Sequence, residues 1–313
     1  MAETAIEWAT EVWNPFTGCD RVSPGCAHCY AATQAASLQR KERGRIAKAR
    51  AEGKPDPKVR YQNDGDPKTS GPGFSFTVHW DKLLHPPRFK PGARVFVNSM
   101  SDVFHEEAPP RALSLMWQVF FERQDVDFLV LTKRPERMRT VLTDWERHED
   151  AAPGMFPLPN VWLGTSIENR KFVGRADILR DTPAAIRFIS AEPLLGPLIP
   201  RPTEIEGIGP CEMCEKIIAE GGGCKCGHCG TPWPYPLVSL DLTGIDWLIV
   251  GGESGPDHRP FDLDWARGLR TACAETETAF FFKQVGGVRP TSGGRLLDGR
   301  TWDQFPTPRE LAK

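Results

Sequence analysis

A chain of 313 residues, 40% hydrophobic and 26% charged, can bury a sizeable core as one α/β domain with an insertion or as two smaller domains. Its formal net charge of −2 excludes binding to nucleic acid through overall charge, so such binding would need a local basic patch. No apolar run is long enough to span a bilayer, and the first residues lack the basic start of a signal peptide. We therefore expect a cytoplasmic protein that does not bind membranes.

The nine cysteines form two clusters, and Cys273 stands apart from both. Clustered cysteines in an intracellular protein bind metal more often than they form disulfides, because the cytoplasm keeps thiols reduced. Cys273 belongs to a predicted amphipathic helix, so we expect it to be a core thiol.

The first cluster comprises Cys19, Cys26 and Cys29, in a loop rich in Gly and Pro between a predicted strand (6–16) and a predicted helix (30–49). A [4Fe–4S] cluster normally has four thiolate ligands, so three thiolates would leave one iron open for a substrate or cofactor. The alternative is a zinc site completed by His28 or by a distant histidine, since zinc accepts three cysteines and one histidine. Both metals use the Cys-x₂-Cys spacing, which leaves the two interpretations open.

Residues 40–60 contain nine basic residues and three acids. Such a stretch can bind nucleic-acid phosphates, and nearby aromatic side chains could stack on bases. The alternative is a solvated helix face, where most runs of charge belong. The aromatic residues concerned are Tyr61, Phe74, Phe76 and Trp80, and residues 74–80 are a further predicted strand.

From residue 94 onward, short apolar runs alternate with amphipathic stretches. Runs that are apolar at nearly every position are typical of parallel strands buried on both faces. Six to eight such units favour a closed or partial (β/α) barrel of the TIM type, formed by residues 1–201 and 241–313. The predicted strands are 94–100, 127–133, 161–167, 186–192, 246–253 and 279–287, and the predicted helices are 111–123, 135–147 and 264–275, with Pro135 and Asp264 as starts.

Polar residues follow each predicted strand, where the strand ends of a β/α barrel converge on one mouth. Any one of them could instead cap the next helix. Six consecutive strands that end in polar side chains nevertheless favour a ligand site at this mouth. The residues are Asn98, Ser99, Ser101 and Asp102; Thr132, Lys133 and Arg134; Thr165, Ser166 and Glu168; Ser190 and Glu192; Glu253 and Ser254; and Lys283 and Gln284.

The second cysteine cluster lies in residues 202–240, which interrupt the barrel pattern and form a predicted insertion. Cys211-x₂-Cys214 and Cys226-x₂-Cys229 have the spacing of a zinc ribbon, with Cys224 as spare or alternate ligand. The site would be structural, because so short a segment with few large apolar residues needs the metal to fold. An auxiliary iron–sulfur cluster is the alternative.

Several motifs together resemble the three-Cys-motif family that is common in bacteriophage genomes. This family is similar to radical S-adenosylmethionine (SAM) enzymes and distantly similar to spore photoproduct lyase. The motifs run in order from about Trp13 to Gly287. They are VWNPFTGCDRVSPGCAHCYA, NSMSDVFH, LTKRPERM, PNVWLGTSIEN, RFISAEPLLGP, WLIVGGESGP and FFFKQVGG.

The resemblance implies a [4Fe–4S] cluster on Cys19, Cys26 and Cys29, with SAM bound to the open iron and cleaved to a 5′-deoxyadenosyl radical by an electron from an external donor. It also implies a cytoplasmic protein of the phage host, and a three-Cys-motif partner protein. The cofactor-binding residues would be Asn98, Ser99, Ser101 and Asp102 for the methionyl group, Ser166 and Glu168 for the ribose, and His28 and Tyr30 beside the last cysteine. Lys283, Gln284 and Glu192 would be the catalytic residues that orient the substrate.

These observations predict a radical SAM enzyme that modifies or repairs a nucleic-acid base or nucleotide. The alternative is a zinc-stabilised module that binds nucleic acid without radical chemistry.

Overall fold

The computed structural model describes residue 4 and residues 6–61, 73–146, 156–199, 239–289 and 292–307. Its strands are β1 (Glu11–Trp13), β2 (Phe16–Thr17), β3 (Thr77–Val78), β4 (Arg94–Val97), β5 (Asp127–Thr132), β6 (Val161–Ser166), β7 (Ile186–Ala191), β8 (Trp247–Gly251) and β9 (Ala279–Gln284). Its α-helices are α1 (Tyr30–Ala51), α2 (Trp80–Leu84), α3 (Pro110–Glu122), α4 (Pro135–Glu146), α5 (Arg175–Arg180) and α6 (Leu263–Glu275).

Seven of these strands form one parallel sheet, and their order in space, β1-β4-β5-β6-β7-β8-β9, follows their order in the chain. Parallel neighbours need a crossover connection, and α3, α4, α5 and α6 each lie between two neighbouring strands. β2 and β3 form a separate antiparallel pair. The carboxyl ends of all seven parallel strands therefore lie along one edge of the sheet.

The sheet is strongly curled, as the contacts of Trp8 demonstrate. The Trp8 ring lies 4.6 Å from the ring of Phe96 on β4 and 6.3 Å from that of Trp247 on β8. In a flat sheet, four strand spacings would separate β4 from β8 by about 19 Å, more than these two contacts together can span. The seven strands therefore form a half-barrel.

The two faces of the sheet have separate hydrophobic cores. The helices pack against the outer face, and the inner face carries a cluster of large side chains that Trp8 joins. This inner cluster lies near the amino ends of the strands, so it closes that end of the half-barrel as an aromatic floor. The floor consists of Trp8, Phe96, Leu129, Trp162, Phe188, Trp247, Ile249 and Phe281 with smaller neighbours.

The C-terminal segment covers the outer edge of β9. The Phe282 amide donates to the Trp302 carbonyl at 2.8 Å, and the Gln304 amide donates to the Phe280 carbonyl at 3.2 Å. An edge that is occupied in this way cannot pair with β1. In the part of the chain that the structure describes, the sheet thus ends at β1 and β9. Of the closed and partial barrels expected from the sequence, the structure is compatible with the partial one.

Two N-terminal predictions need correction. The predicted strand 6–16 divides into β1 and β2, because Pro15 has no N–H to donate to a strand ladder. Residues 74–80 contribute only the two-residue β3, which pairs with β2 outside the parallel sheet. The other predicted strands and helices are present with slightly shorter or shifted ends, and α6 begins at Leu263 with Asp262 as its N-cap.

The predicted zinc ligands Cys211, Cys214, Cys224, Cys226 and Cys229 lie outside the described residues. The chain enters and leaves this region at one place, because the Leu240 amide donates to the Leu198 carbonyl at 2.9 Å. None of the described helices is both long enough and apolar enough to cross a membrane.

Candidate functional site

The three-cysteine loop lies at the carboxyl edge of the half-barrel. Gly18 forms a parallel bridge with Ser101, just beyond the end of β4, and its amide donates to the Met100 carbonyl at 2.9 Å. The Cys19 amide donates to the Phe74 carbonyl at 3.1 Å. Cys29 is the N-cap of α1, so this helix leads the chain out of the loop. The loop is therefore held beside the strand ends from which polar side chains project.

The three cysteines are free thiols that are each partly exposed. When four sulfur ligands surround one zinc at a Zn–S distance of about 2.3 Å, neighbouring sulfurs lie about 3.8 Å apart. Among the described residues, the three sulfurs and His28 do not form a group whose ligand atoms all lie within 4.8 Å of one another. A four-iron cluster binds each sulfur at a separate iron, so its ligand atoms need not lie this close together.

Each cysteine has a cation in its electrostatic environment. Burial and the nearby Asp102 carboxylate raise the pKa of Cys19 to about 12, and Arg134 opposes this shift. Burial also raises the pKa of Cys29, and the amides of Ala31 and Ala32 at the start of α1 oppose it, as does Lys133. Cys26 interacts with Arg175. The protons that Cys19 and Cys29 carry at neutral pH would be released on metal binding, and the cations would then balance the thiolate charge.

Glu168 anchors the loop from the end of β6. Its side chain is fully buried, and it accepts a hydrogen bond from the Ser23 hydroxyl in the loop. Lys133 Nζ lies 3.2 Å from the same carboxylate, and Arg175 Nη1 lies 3.3 Å from it. Three donors from the protein thus contact Glu168 and connect it to the loop, and its assignment to the ribose stays a prediction.

A second anchor comes from the end of β8. His28 donates through Nδ1 to Glu253 Oε2 at 3.0 Å, and Arg259 forms a forked pair with the same carboxylate. Burial raises the pKa of Glu253, but the hydrogen bonds from Arg259 and His28 outweigh it and lower the pKa to about 2. His28 is therefore tied to a carboxylate, and the loop spans the mouth from β6 to β8.

Asp102, which follows β4, is buried, and both oxygens of its carboxylate accept hydrogen bonds from the protein. Its carboxylate accepts hydrogen bonds from the Thr132 hydroxyl at 2.6 Å and from the amides of Phe104 and Lys133. Arg134 Nη1 donates to it at 3.2 Å. Asp102 therefore organises the end of β5, and its assignment to the methionyl group stays a prediction.

Other predicted cofactor residues after β4 keep unused polar atoms. Nδ2 of Asn98 and Oγ of Ser101 are buried and have no hydrogen-bond partner in the described part of the chain. The Tyr30 hydroxyl donates to the Ser99 carbonyl at 2.6 Å, which places Tyr30 beside this segment. Buried polar groups without partners are rare, so Asn98 and Ser101 are the residues here that fit a missing ligand.

The three predicted catalytic residues separate into two groups. Lys283 Nζ and Glu192 Oε1 form an ion pair of 3.0 Å on the inner face, across the strand that ends in Gly251. A Cβ on Gly251 would lie 2.8 Å from Glu192 Oε1, so a larger residue there would displace the Glu192 side chain. Gln284 donates instead to the Gly252 carbonyl and the Ser254 hydroxyl, because successive strand residues point to opposite faces.

The basic stretch offers less free charge than its composition suggests. Six of its nine cations form ion pairs with carboxylates. Phe74 is buried, and Phe76 stacks on His105, so neither can stack on a base. Trp80 remains 39% exposed. Within the described residues, the basic side chains of the stretch without an ion pair are Arg40, Lys41 and Arg43.

Asp20, His105 and Glu107 form a group of metal-type donors next to Cys19. His105 Nδ1 accepts a hydrogen bond from the Glu107 amide at 3.2 Å, so the neutral ring carries its proton on Nε2. Nε2 lies 3.5 Å from Asp20. Nε2 is buried without a hydrogen-bond partner among the described residues, so this group could hold a metal ion only after the ring loses that proton.

A cavity of about 850 Å³ lies at the opposite end of the sheet, between α6, the start of β9 and the C-terminal segment. Its lining includes the buried thiol of Cys273, as expected for a core cysteine. In β/α barrels the amino ends of the strands serve stability, whereas sites lie at the carboxyl ends.

Sequence reasoning did not find Ser23, Arg175 or Arg259, which position the loop. No local pattern marks them, because their partners come from distant parts of the chain.

A family model described as a protein of unknown function (DUF5131) matches residues 3–306, so the chain belongs to this family. No curated protein and no solved structure matches the chain.

Proposed function

We propose that this protein is a radical SAM enzyme in which Cys19, Cys26 and Cys29 hold a [4Fe–4S] cluster with one iron open to the cofactor. The observation that carries the proposal is the placement of three free thiols, each near a cation, in one loop at the carboxyl edge of a parallel half-barrel.

Cys19, Cys26 and Cys29 would hold the cluster, which with an external electron donor would supply the reductive cleavage of SAM to a 5′-deoxyadenosyl radical that removes a hydrogen atom from the substrate. Asn98 and Ser101 have buried polar atoms free to bind the methionyl group. Ser166, at the end of β6, and Glu168 would bind the ribose, and Tyr30 lies beside Cys29. The aromatic floor limits access of water from the other end of the half-barrel.

The substrate class that we propose is a nucleic-acid base or nucleotide. Support comes from the unpaired cations Arg40, Lys41 and Arg43 on α1 and from the exposed ring of Trp80. The Lys283–Glu192 pair on the inner face offers one donor and one acceptor to a polar substrate. The alternative function is a zinc-stabilised module that binds nucleic acid. It would use the same two cysteine clusters to bind zinc and the same basic surface to bind nucleic acid.

Anaerobic reconstitution with iron and sulfide tests the proposal. We expect about four irons per chain, absorbance at about 400 nm that dithionite bleaches, and 5′-deoxyadenosine formed from SAM. Cys26→Ala should lose the iron and the product, whereas the control Cys273→Ala should keep both. A colourless protein that contains zinc alone would reject the enzyme and identify the binding module.

A further inference from the structure

The guanidinium of Arg134 contacts the sulfur of Cys19. Arg134 follows β5, its side chain is only 5% exposed, and its Nη1 lies 3.5 Å from Cys19 Sγ. An N–H of an arginine at this distance from sulfur is a charge-assisted hydrogen-bond donor. A buried cation therefore touches one of the three sulfurs assigned to the cluster.

Several contacts fix the guanidinium in this position. The same Nη1 donates to Asp102 at 3.2 Å, and Nε donates to Glu106 at 3.2 Å. The Arg134 amide donates to the Thr132 hydroxyl, which in turn donates to Asp102. Because Asp102 is held by three further donors, the cation cannot turn away from Cys19 without breaking this network.

We propose that Arg134 is a positioning residue that raises the reduction potential of the cluster through its contact with Cys19. This inference rests on the proposed function. Reduction adds one negative charge to the cluster, and a fixed cation at a ligand sulfur stabilises the more negative state. Hydrogen bonds to the sulfurs act in the same direction.

Substitution of Glu106 should shift the reduction potential of the cluster in the direction opposite to that caused by substitution of Arg134. Its side chain is 66% exposed, and its carboxylate pairs with Arg134. The negative charge offsets part of the cation, so removing it should make reduction of the cluster easier. Substitution of an exposed carboxylate also leaves the buried network in place.

The experiment is a potentiometric titration of the reconstituted protein with dithionite, followed by electron paramagnetic resonance without SAM. Arg134→Gln keeps a donor but loses the charge, and we expect its reduction equilibrium to become about tenfold less favourable, which is 59 mV for one electron. Glu106→Gln should shift the potential upward. Arg134→Lys keeps the charge and should shift it less than Gln does.

Arg139→Gln is the matched control, because Arg139 lies on α4, which begins directly after Arg134, is 42% exposed and pairs with Asp181. Its potential should equal that of the wild type. An unchanged or higher potential in Arg134→Gln, with full iron content, overturns the inference and leaves the proposed function standing. If Arg134→Gln does not retain iron, a downward or absent shift in Glu106→Gln overturns it instead. A wild-type protein that binds no four-iron cluster rejects both.

Discussion

Two buried carboxylates hold the cysteine loop from different strands. Glu168 contacts Ser23, and Glu253 contacts His28, so the segment between Cys19 and Cys29 is tied at two points. Each carboxylate also pairs with an arginine, Arg175 or Arg259. Buried ion pairs contribute little net stability, but removing one partner is costly because a buried charge is left behind. The pairs therefore serve to fix the geometry of the loop.

The lowered pKa of Glu253 predicts that the folded protein loses stability at acid pH. Its pKa in the folded protein, about 2, lies below the ordinary value of 4.5. Its contribution to stability is thus present above about pH 4.5 and is lost as the pH falls toward 2. Arg259 is 30% exposed, so water screens the pair and we expect a loss on the order of 2 kcal/mol.

Urea unfolding of the wild type and of Glu253→Gln at pH 7 and pH 3 measures this contribution. The variant should start less stable at pH 7 and lose less stability on acidification. The control Glu275→Gln, at an exposed position of α6, should follow the wild type. If Glu253→Gln loses as much stability as the wild type between the two pH values, the pKa of Glu253 is not lowered by folding.

The position of the polar residues could be predicted from the sequence, but their partners could not. A parallel sheet brings all carboxyl strand ends to one edge, so Glu168 and Glu253 were expected at the mouth. The Ser23–Glu168 contact joins residues that are 145 positions apart. Such a pair depends on strand register and on the path of the loop, neither of which leaves a local signal. For this reason the sequence did not reveal the contact of Glu168 with the cysteine loop.

At the scale of single elements, β6 shows how closely the inner face is packed. Gly164 lies opposite Phe188 of β7 in the strand register. A Cβ on Gly164 would come within 2.5 Å of the Phe188 ring. The ring thus fills the space above the glycine and contributes to the aromatic floor.

Gly164→Ala should destabilise the protein by about 1–3 kcal/mol, because it forces Phe188 out of its position. Adding Phe188→Leu should recover part of this loss, since the smaller side chain leaves room for the methyl group. Gly268→Ala is the control, at an exposed position of α6 with no atom within 4 Å of the new Cβ, and it should stabilise by about 0.5–1 kcal/mol. Equal free energies of unfolding for the wild type and Gly164→Ala would contradict the packing.

The elements from residue 94 onward were predictable because both faces of their strands are buried. β6 and β8 are buried at every position, and this gives the continuous apolar runs that mark such strands. β1 has only three residues and β2 only two, which is too short for a clear pattern. The break between them could be inferred from Pro15 only once the pairing of β1 with β4 was known.

For the whole molecule, the choice between a closed and a partial barrel depends on the sheet edges. Both architectures have the same alternation of strands and helices, so the repeat itself does not distinguish them. Pairing of residues 302–304 with β9 occupies one edge, and Trp8 packs beneath the strands between Phe96 and Trp247. The half-barrel thus keeps one end filled by aromatic side chains and the other end available to the cysteine loop.

We expect that the region between Leu198 and Leu240 can be deleted without unfolding the half-barrel. The hydrogen bond between these residues joins its two ends, so a short linker can replace residues 202–238 without moving β7 or β8. We expect this deletion to keep the iron and the SAM cleavage of the full chain and to lose one zinc per chain, since its cysteines have zinc-ribbon spacing. Metal analysis of both proteins, together with Cys211→Ser in the full chain, tests the assignment. Loss of iron rather than zinc from the deletion would mean that the region carries an auxiliary cluster.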